Sequence, residues 1–358
     1  MLRQFYKLFI PLLMKTLLSH WLLCLLAILV LQTNVSGQDI HFSQMFETPL
    51  LRNPALAGIF SGDIRVQSVY RSQYNSVANA YQTTSANMEY KMPLPGGDDF
   101  LTIGGQVLYD KAGTVAMTAT HVLPTLNYHK SLSSDRNMYL SLGAMGGWVQ
   151  RRVDRSKMTT NSQFDGNNYN GAIGTGETFP KAAYSYFDGS VGMSFNTEIG
   201  SEPENNMYVG LAYHHFNKAR GVNFYTDSKL EVTPKWVASA GVRMSTSEYN
   251  YFTIEADYSS QGAYTEILGG VLFSRKLESP DEPRYILHGG AYLRFQDAII
   301  PVAKVEMKPL SVAVSYDINF SGLRQVSNGR GGFEISIAYQ KYLDRENSVK
   351  NAVRCPKF

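Results

Sequence analysis

The sequence predicts an all-β chain: a closed antiparallel transmembrane β-barrel of about 14 strands, with an N-terminal non-strand segment packed in or under the barrel. Three observations predict it. Apolar and polar residues alternate with period two over many segments, the pattern of a strand with two unlike faces. The segments run to roughly 10–12 residues, the length that crosses a membrane at a tilt. Aromatic residues stand at their ends, as with Tyr285, Phe295 and Trp236, where the headgroup girdles of a barrel lie. Composition agrees: 23 Tyr, 18 Phe and 30 Gly, with few helix-type charge pairs, favour strands over helices.

Residues 1–37 read as a removed signal peptide. Arg3, Lys7 and Lys15 are followed by the apolar run Leu17–Leu31 and then by the small residues Val35, Ser36 and Gly37, with cleavage expected near Gly37. The apolar run is shorter than the roughly 20 residues of a spanning helix. Leu23 stands where lipoprotein processing at Cys24 would need a small residue. Beyond the signal only Cys355 remains, so no intrachain disulfide can staple the exported chain, and ladders or a large core must hold it. The formal net charge is +3 and scattered, which gives no footprint for nucleic acid.

Residues 38–62, opening QDIHFSQMFETPLLRNPALAGIF, match neither a strand nor a helix pattern. Pro49 and Pro54 cannot donate to a ladder, while Phe42, Met45, Phe46, Leu50 and Leu51 supply apolar anchors. Asn53 can cap, Pro54 fixes φ and Gly58 permits a positive φ, so NPALAG reads as a turn. The segment is expected on the periplasmic side or inside the lumen, as a plug or as a docking piece; Phe42, Ser43, Gln44, Phe46, Leu50, Asn53 and Pro54 are its candidate contact residues.

The barrel is assigned to 63–343. Strands are predicted at 64–74, 81–91, 100–111, 114–130, 138–153, 183–197, 206–216, 234–245, 249–258, 264–275, 284–295, 298–308, 310–320 and 331–343, the fourth broken by Pro124. The alternation is cleanest in Leu310–Phe320, where Leu310, Val312, Val314, Tyr316, Ile318 and Phe320 form a wholly apolar face. A soluble sandwich would turn such faces inward and a barrel turns them to lipid. Loop lengths decide for the barrel. With the N-terminus periplasmic, the long connections 154–182, 217–233 and 321–330 all fall outside, and the periplasmic ones, such as 246–248 and Lys308–Pro309, are mostly short. The remainder, 344–358, is a basic periplasmic tail in which Cys355, Pro356 and Phe358 stand out.

No motif of nucleophilic, metal or nucleotide chemistry is present: there is no G-x-S-x-G, H-E-x-x-H or P-loop. No enzymatic activity and no cofactor is expected. His214 and His215 are adjacent, and on a strand they would point to opposite faces, so they read as filler near an interface rather than metal ligands. The inward ionic residues Arg243, Glu255, Asp257, Arg294, Lys304, Glu306, Asp317 and Glu334 could line a selective pore. Their mixed signs favour mutual pairing that closes the lumen, since a selective pore concentrates one sign. In the long loop, Phe164 could pack down onto the barrel mouth, or the loop could be a mobile surface segment.

Several stretches resemble one family. Gln38, Asp39, Phe42, Ser43 and Gln44, followed by Asn53, Pro54, Ala55, Ala57 and Gly58, are similar to the D-x-x-F-S-Q and N-P-A-x-A-G elements that open the mature chain in the PorP/SprF family. VYRSQY (69–74), DKAG (110–113), QFDG (163–166) and the ending Arg354–Cys355–Pro356–Lys357–Phe358 are similar too. Glu47 and Thr48 depart from it, standing where the family commonly has an asparagine before the Pro-Leu pair.

The resemblance covers essentially the whole mature chain. It implies an outer-membrane barrel of the type IX secretion system of Bacteroidetes, needed for secretion or surface anchoring of particular cargo such as gliding adhesins with C-terminal sorting domains. The implied partners are that cargo and the periplasmic ring, motor or peptidoglycan-binding components of the machinery. The alternation alone equally allows a diffusion pore or a hydrophobic-substrate transporter in outer-membrane lipid.

Overall fold

A computed structural model describes residues 39–343 except 74–80, 114, 134–135, 178–179, 201, 203, 226–228, 323 and 325–328. Residues 1–37, read above as a signal peptide, and the tail carrying Cys355, Pro356 and Phe358 lie outside the described residues.

Fourteen antiparallel strands close on themselves. They are β1 (Ile64–Gln73), β2 (Tyr81–Pro93), β3 (Phe100–Ala112), β4 (Met117–Ser133), β5 (Met138–Arg152), β6 (Ala183–Glu198) and β7 (Asn206–His214). The second half is β8 (Lys235–Ser245), β9 (Asn250–Gln261), β10 (Tyr264–Leu277), β11 (Tyr285–Arg294), β12 (Ala298–Met307), β13 (Leu310–Asn319) and β14 (Arg330–Lys341). Each strand pairs with its neighbour in sequence, and β1 closes on β14 with Ile64 opposite Lys341 and Gln73 opposite Gly332. Closure leaves no unpaired edge, the condition for a sheet to sit in lipid.

The two faces are inverted relative to a soluble protein. Val66, Tyr70, Ile103, Val107, Ile254, Tyr258 and Ile337 are exposed on the outside, while Arg65, Gln67, Arg71, Asn87, Glu89 and Glu334 are buried inside. A period of two sends alternate residues to opposite faces, so the outer belt and the polar interior follow from the same alternation.

β4 is continuous through Pro124, contrary to the predicted break. Pro124 stands opposite Gly105 in the β3 ladder, whereas the β5 ladder steps from Val122–Trp148 to Thr125–Met145. A proline's missing donor costs a bond on one side only, and here that side faces β5. Pro301 sits at the same kind of gap, between the Ile299–Ile318 and Val302–Ser315 pairs of β12 and β13.

The longest connections share one end of the barrel. The turns after β1, β3, β5, β7, β9, β11 and β13 share one end, which includes the long loops 153–182 and 215–234; the other end has shorter turns such as Lys308–Pro309. In the longest loop Phe164 does not pack onto the mouth: it is 56% exposed, while its neighbour Gln163 is buried. The Gln163 side chain accepts from Thr160 N–H and donates to Ile173 C=O, so the loop is held by its own hydrogen bonds.

The chain before β1 fills the lumen. It consists of a 3-10 turn at Met45–Glu47, one α-helical turn at Pro49–Arg52 and a 3-10 turn at Pro54–Leu56. It descends from the long-loop end, where Asp39 N–H donates to Gln261, to the short-turn end, where Asp63 N–H donates to the Lys341 carbonyl. Of the two expected places, beneath the barrel or within it, the segment occupies the second.

Candidate functional site

The site is this plugged lumen, and it is clearest when followed along the plug. Near the long-loop end, the backbone N–H groups of Ser43 and Gln44 donate to the two carboxylate oxygens of Glu334 at 2.6 and 2.7 Å. The Ser43 hydroxyl donates to Asp317 and accepts from Arg71 and Arg294. Arg71 in turn bonds Asp317 at 2.8 Å and is ion-paired with Glu334, and Arg294 reaches Asp317 at 3.1 Å. Two guanidinium groups thus face two carboxylates around one serine. Buried charges persist only when paired in this way, because desolvation of either alone is prohibitive.

One turn further on, Glu47 pairs with Lys304 at 2.8 Å and accepts from Gln67 at 2.7 Å. Lys304 is also 3.4 Å from Glu306. Arg52 grips Asp257 with two nitrogens, at 2.5 and 2.6 Å, and donates to the Tyr208 hydroxyl. Tyr208 and Tyr292 both donate to Glu255, which lies 3.4 Å from Arg52. Phe46 stacks on Tyr292, Leu50 packs with Leu123 and Met145, and Phe42 packs with Val69 and Leu108.

Toward the short-turn end the contacts change character. The Asn53 side chain caps the next turn by accepting from Ala55 N–H at 2.8 Å and donates to the Met193 carbonyl at 3.0 Å. Pro54 and Ala55 lie against Gly143, where an added Cβ would stand 2.5 Å from Ala55 N, and a Cβ on Gly192 would collide with Asn53. The Asn127 amide donates to the carbonyls of Ala55 and Ala57 at 2.9 and 2.8 Å. Gly58 has φ +84° and its N–H donates to Glu89, itself paired with Arg65. The Phe60 ring lies between the cationic groups of Arg65 and Lys91, at 4.5 and 4.4 Å.

At the start of the plug, Asp39 and Asp188 clamp His215 between them, at 2.7 Å to Nε2 and 2.8 Å to Nδ1. Both ring nitrogens face carboxylate oxygens, so both carry protons and the ring is an imidazolium. Burial lowers the His215 pKa, but Asp39 and then Asp188 outweigh it and push it up to about 10. This corrects the reading of His214 and His215 as filler near an interface. β7 ends at His214, an inward strand position, and His215 beyond it adopts φ +57° with its ring turned inward as well; His214 bonds Ser190 and the Arg52 carbonyl.

Each predicted site residue can now be placed. Phe42, Ser43, Gln44, Leu50, Asn53 and Pro54 are buried in the lumen and Phe46 is partly buried. Glu255, Asp257, Arg294, Lys304, Asp317 and Glu334 face the plug as described, and Glu306 pairs with Lys304 and His288. Arg243 stacks on Tyr251 at 3.6 Å, lining a cavity of about 340 Å³ at the short-turn end. Sequence reasoning missed Arg71, Glu89, Asn127, Asp188 and the plug's own Glu47 and Arg52. Arg71 and Glu89 lie at inward positions of alternating strands, a signal that could have found them. No cluster suited to a metal ion occurs among the described residues.

Fold and site define a class: a transmembrane β-barrel whose lumen is filled by its own N-terminal segment. Residues 34–339 match the family model described as Type IX secretion system membrane protein PorP/SprF, and the chain belongs to that family. Nothing among the curated proteins matches it. Similar solved structures include a deltaS2 mutant of the TodX monoaromatic hydrocarbon channel, at 11% identity and TM-score 0.47, covering 83% of this chain and 94% of that one. The Ralstonia pickettii toluene transporter TbuX gives 9%, 0.47, 83% and 94%. A Pseudomonas aeruginosa FadL homologue gives 10%, 0.46, 82% and 94%.

Proposed function

We propose that this chain is a non-enzymatic, closed outer-membrane anchor of the type IX secretion system, serving the secretion or surface attachment of specific cargo such as gliding adhesins with C-terminal sorting domains. The observation that carries the anchor reading over a conduit is the plug. Ser43, Glu47, Arg52, Asn53 and Gly58 are each bonded to the wall, on β14, β12, β9, β6 and β2 respectively. A lumen of 14 strands has modest width, and here it holds both its own inward side chains and this segment. A folded polypeptide has no route through it.

In this orientation the long-loop end faces the exterior and the cargo, with the apolar belt in lipid. The short-turn end and the tail face the periplasm and the ring, motor or peptidoglycan-binding components. Affinity purification from native membranes, with identification of co-purifying chains, tests this. Secretion components and a cargo protein are expected, and recovery of this chain alone would sink the reading. Planar-bilayer recording of the purified barrel separates it from a diffusion pore or a hydrophobic-substrate transporter. The anchor is electrically silent, and a steady open conductance contradicts it.

A further inference from the structure

The plug leaves a second polar site unused beside the long-loop end. Asp110 of β3, Ala119 of β4 and Arg151 of β5 stand opposite one another in a single row across three strands. The middle residue is the smallest that still carries a Cβ. Two strand spacings of about 4.8 Å separate the acid from the base. Between them lies a cavity of about 120 Å³, walled by Leu108, Met117, Leu123 and Met145. That is far above the roughly 10–15 Å³ that admits one water molecule.

His121 lines the same cavity one inward position further along β4; it is 9% exposed, and its Nε2 has no hydrogen-bond partner. Arg151 is hydrogen-bonded to Tyr184 and Tyr186 through its guanidinium, and its Nε is likewise buried without a partner. Buried nitrogens in native structures are normally satisfied by protein or by ordered water, so two of them at one cavity mark where a polar guest can bond. Asp110 lines the cavity too, and its Oδ1 accepts from Thr83 at 2.7 Å. The other charged groups lining it, Asp39, Asp188, His215 and Lys235, already engage one another.

We propose that this cavity binds a free α-amino acid with a short apolar side chain. The carboxylate meets Arg151 and His121, the ammonium meets Asp110, and the side chain lies on Leu108, Leu123 and Met145 in the space Ala119 leaves. An anion alone would leave Asp110 facing it, and a cation alone would leave Arg151, so a zwitterion is the species that matches both ends.

Isothermal titration of the full barrel in detergent tests this with three probes: L-valine, isovalerate (no ammonium) and isobutylamine (no carboxylate). Valine is expected to bind most tightly. Asp110→Asn should weaken valine about tenfold or more while leaving isovalerate unchanged, and Arg151→Gln should weaken both by a similar factor, as loss of one charge-assisted bond implies. Ala119→Leu fills the cavity and should abolish binding, with heat-modifiable gel mobility reporting that the barrel is folded. If valine gives no saturable heat at millimolar concentration, the proposal fails. It fails too if isovalerate binds as tightly as valine, or if Asp110→Asn and Arg151→Gln both leave valine affinity unchanged.

Discussion

The plug is one chain segment held in two different ways. From Asp39 to Arg52 it is held by charge: His215 between two aspartates, Ser43 among Arg71, Arg294 and Asp317, Glu47 on Lys304, Arg52 on Asp257. From Asn53 to Phe60 it is held mainly by shape and backbone hydrogen bonds, with glycines of the wall admitting its main chain and Asn127 reading two of its carbonyls. Charge networks at long range tolerate movement only at high cost once a member is lost, but they respond to pH. A close backbone fit is indifferent to pH and intolerant of a single added carbon. The two halves of the plug should therefore fail to different insults.

The largest effect is expected from Arg71→Ala. It leaves Glu334 buried against the N–H groups of Ser43 and Gln44, and Asp317 with Arg294 as its remaining cation, at a cost of about 3–5 kcal/mol. The first half of the plug should leave its seat, which would appear as tryptic cleavage after the otherwise buried Arg52 and as channel activity in bilayers. A protease-resistant, silent variant would show that shape alone retains the plug.

Next comes Gly143→Val, which drives side-chain atoms into Pro54 and Ala55 and should cost about 1–3 kcal/mol. Hydrogen exchange at residues 55–58 should rise while that at 43–47 stays protected. Equal loosening of both would mean that the halves move as one body. Asn53→Ala removes a cap and a bond to the Met193 carbonyl, for about 1–2 kcal/mol. It should lower the thermal midpoint of the barrel less than Gly143→Val does.

The smallest effect is in pH. The His215 pKa is raised, so its clamp contributes fully below the unfolded value near 6.5 and is lost as pH rises through about 10. Exchange at residues 39–44 should accelerate over that upper window, and His215→Gln should remove the dependence. Acceleration at 55–58 over the same range would contradict the division drawn here.

Much of this was legible before any coordinates. The alternation in Leu310–Asn319 announces a strand with one lipid face, and β13 runs over those residues. Asn53, Pro54 and Gly58 announce a capped turn, and the cap and the positive φ are present. The failures have local causes. Pro124 looked like a break because a sequence does not show on which side of a strand the missing donor falls. His214 and His215 looked like opposite-facing strand residues because nothing nearby marks the strand's end between them.

What the sequence determines by itself is whatever repeats over short distances: which residues form strands, which face of each is apolar, and that a proline-interrupted piece precedes them. Period two is a property of a few consecutive residues and needs no partner. Tertiary structure alone decides what fills the barrel and which charges meet. Ser43 and Glu334 are 291 residues apart, and Arg52 and Asp257 are 205 apart. Their meeting depends on closure of β1 onto β14 and on the course of the plug through the lumen. The inward charges could be counted from the alternation, but not matched. Their partners lie across the lumen or on the plug, at separations that only the closed barrel makes short.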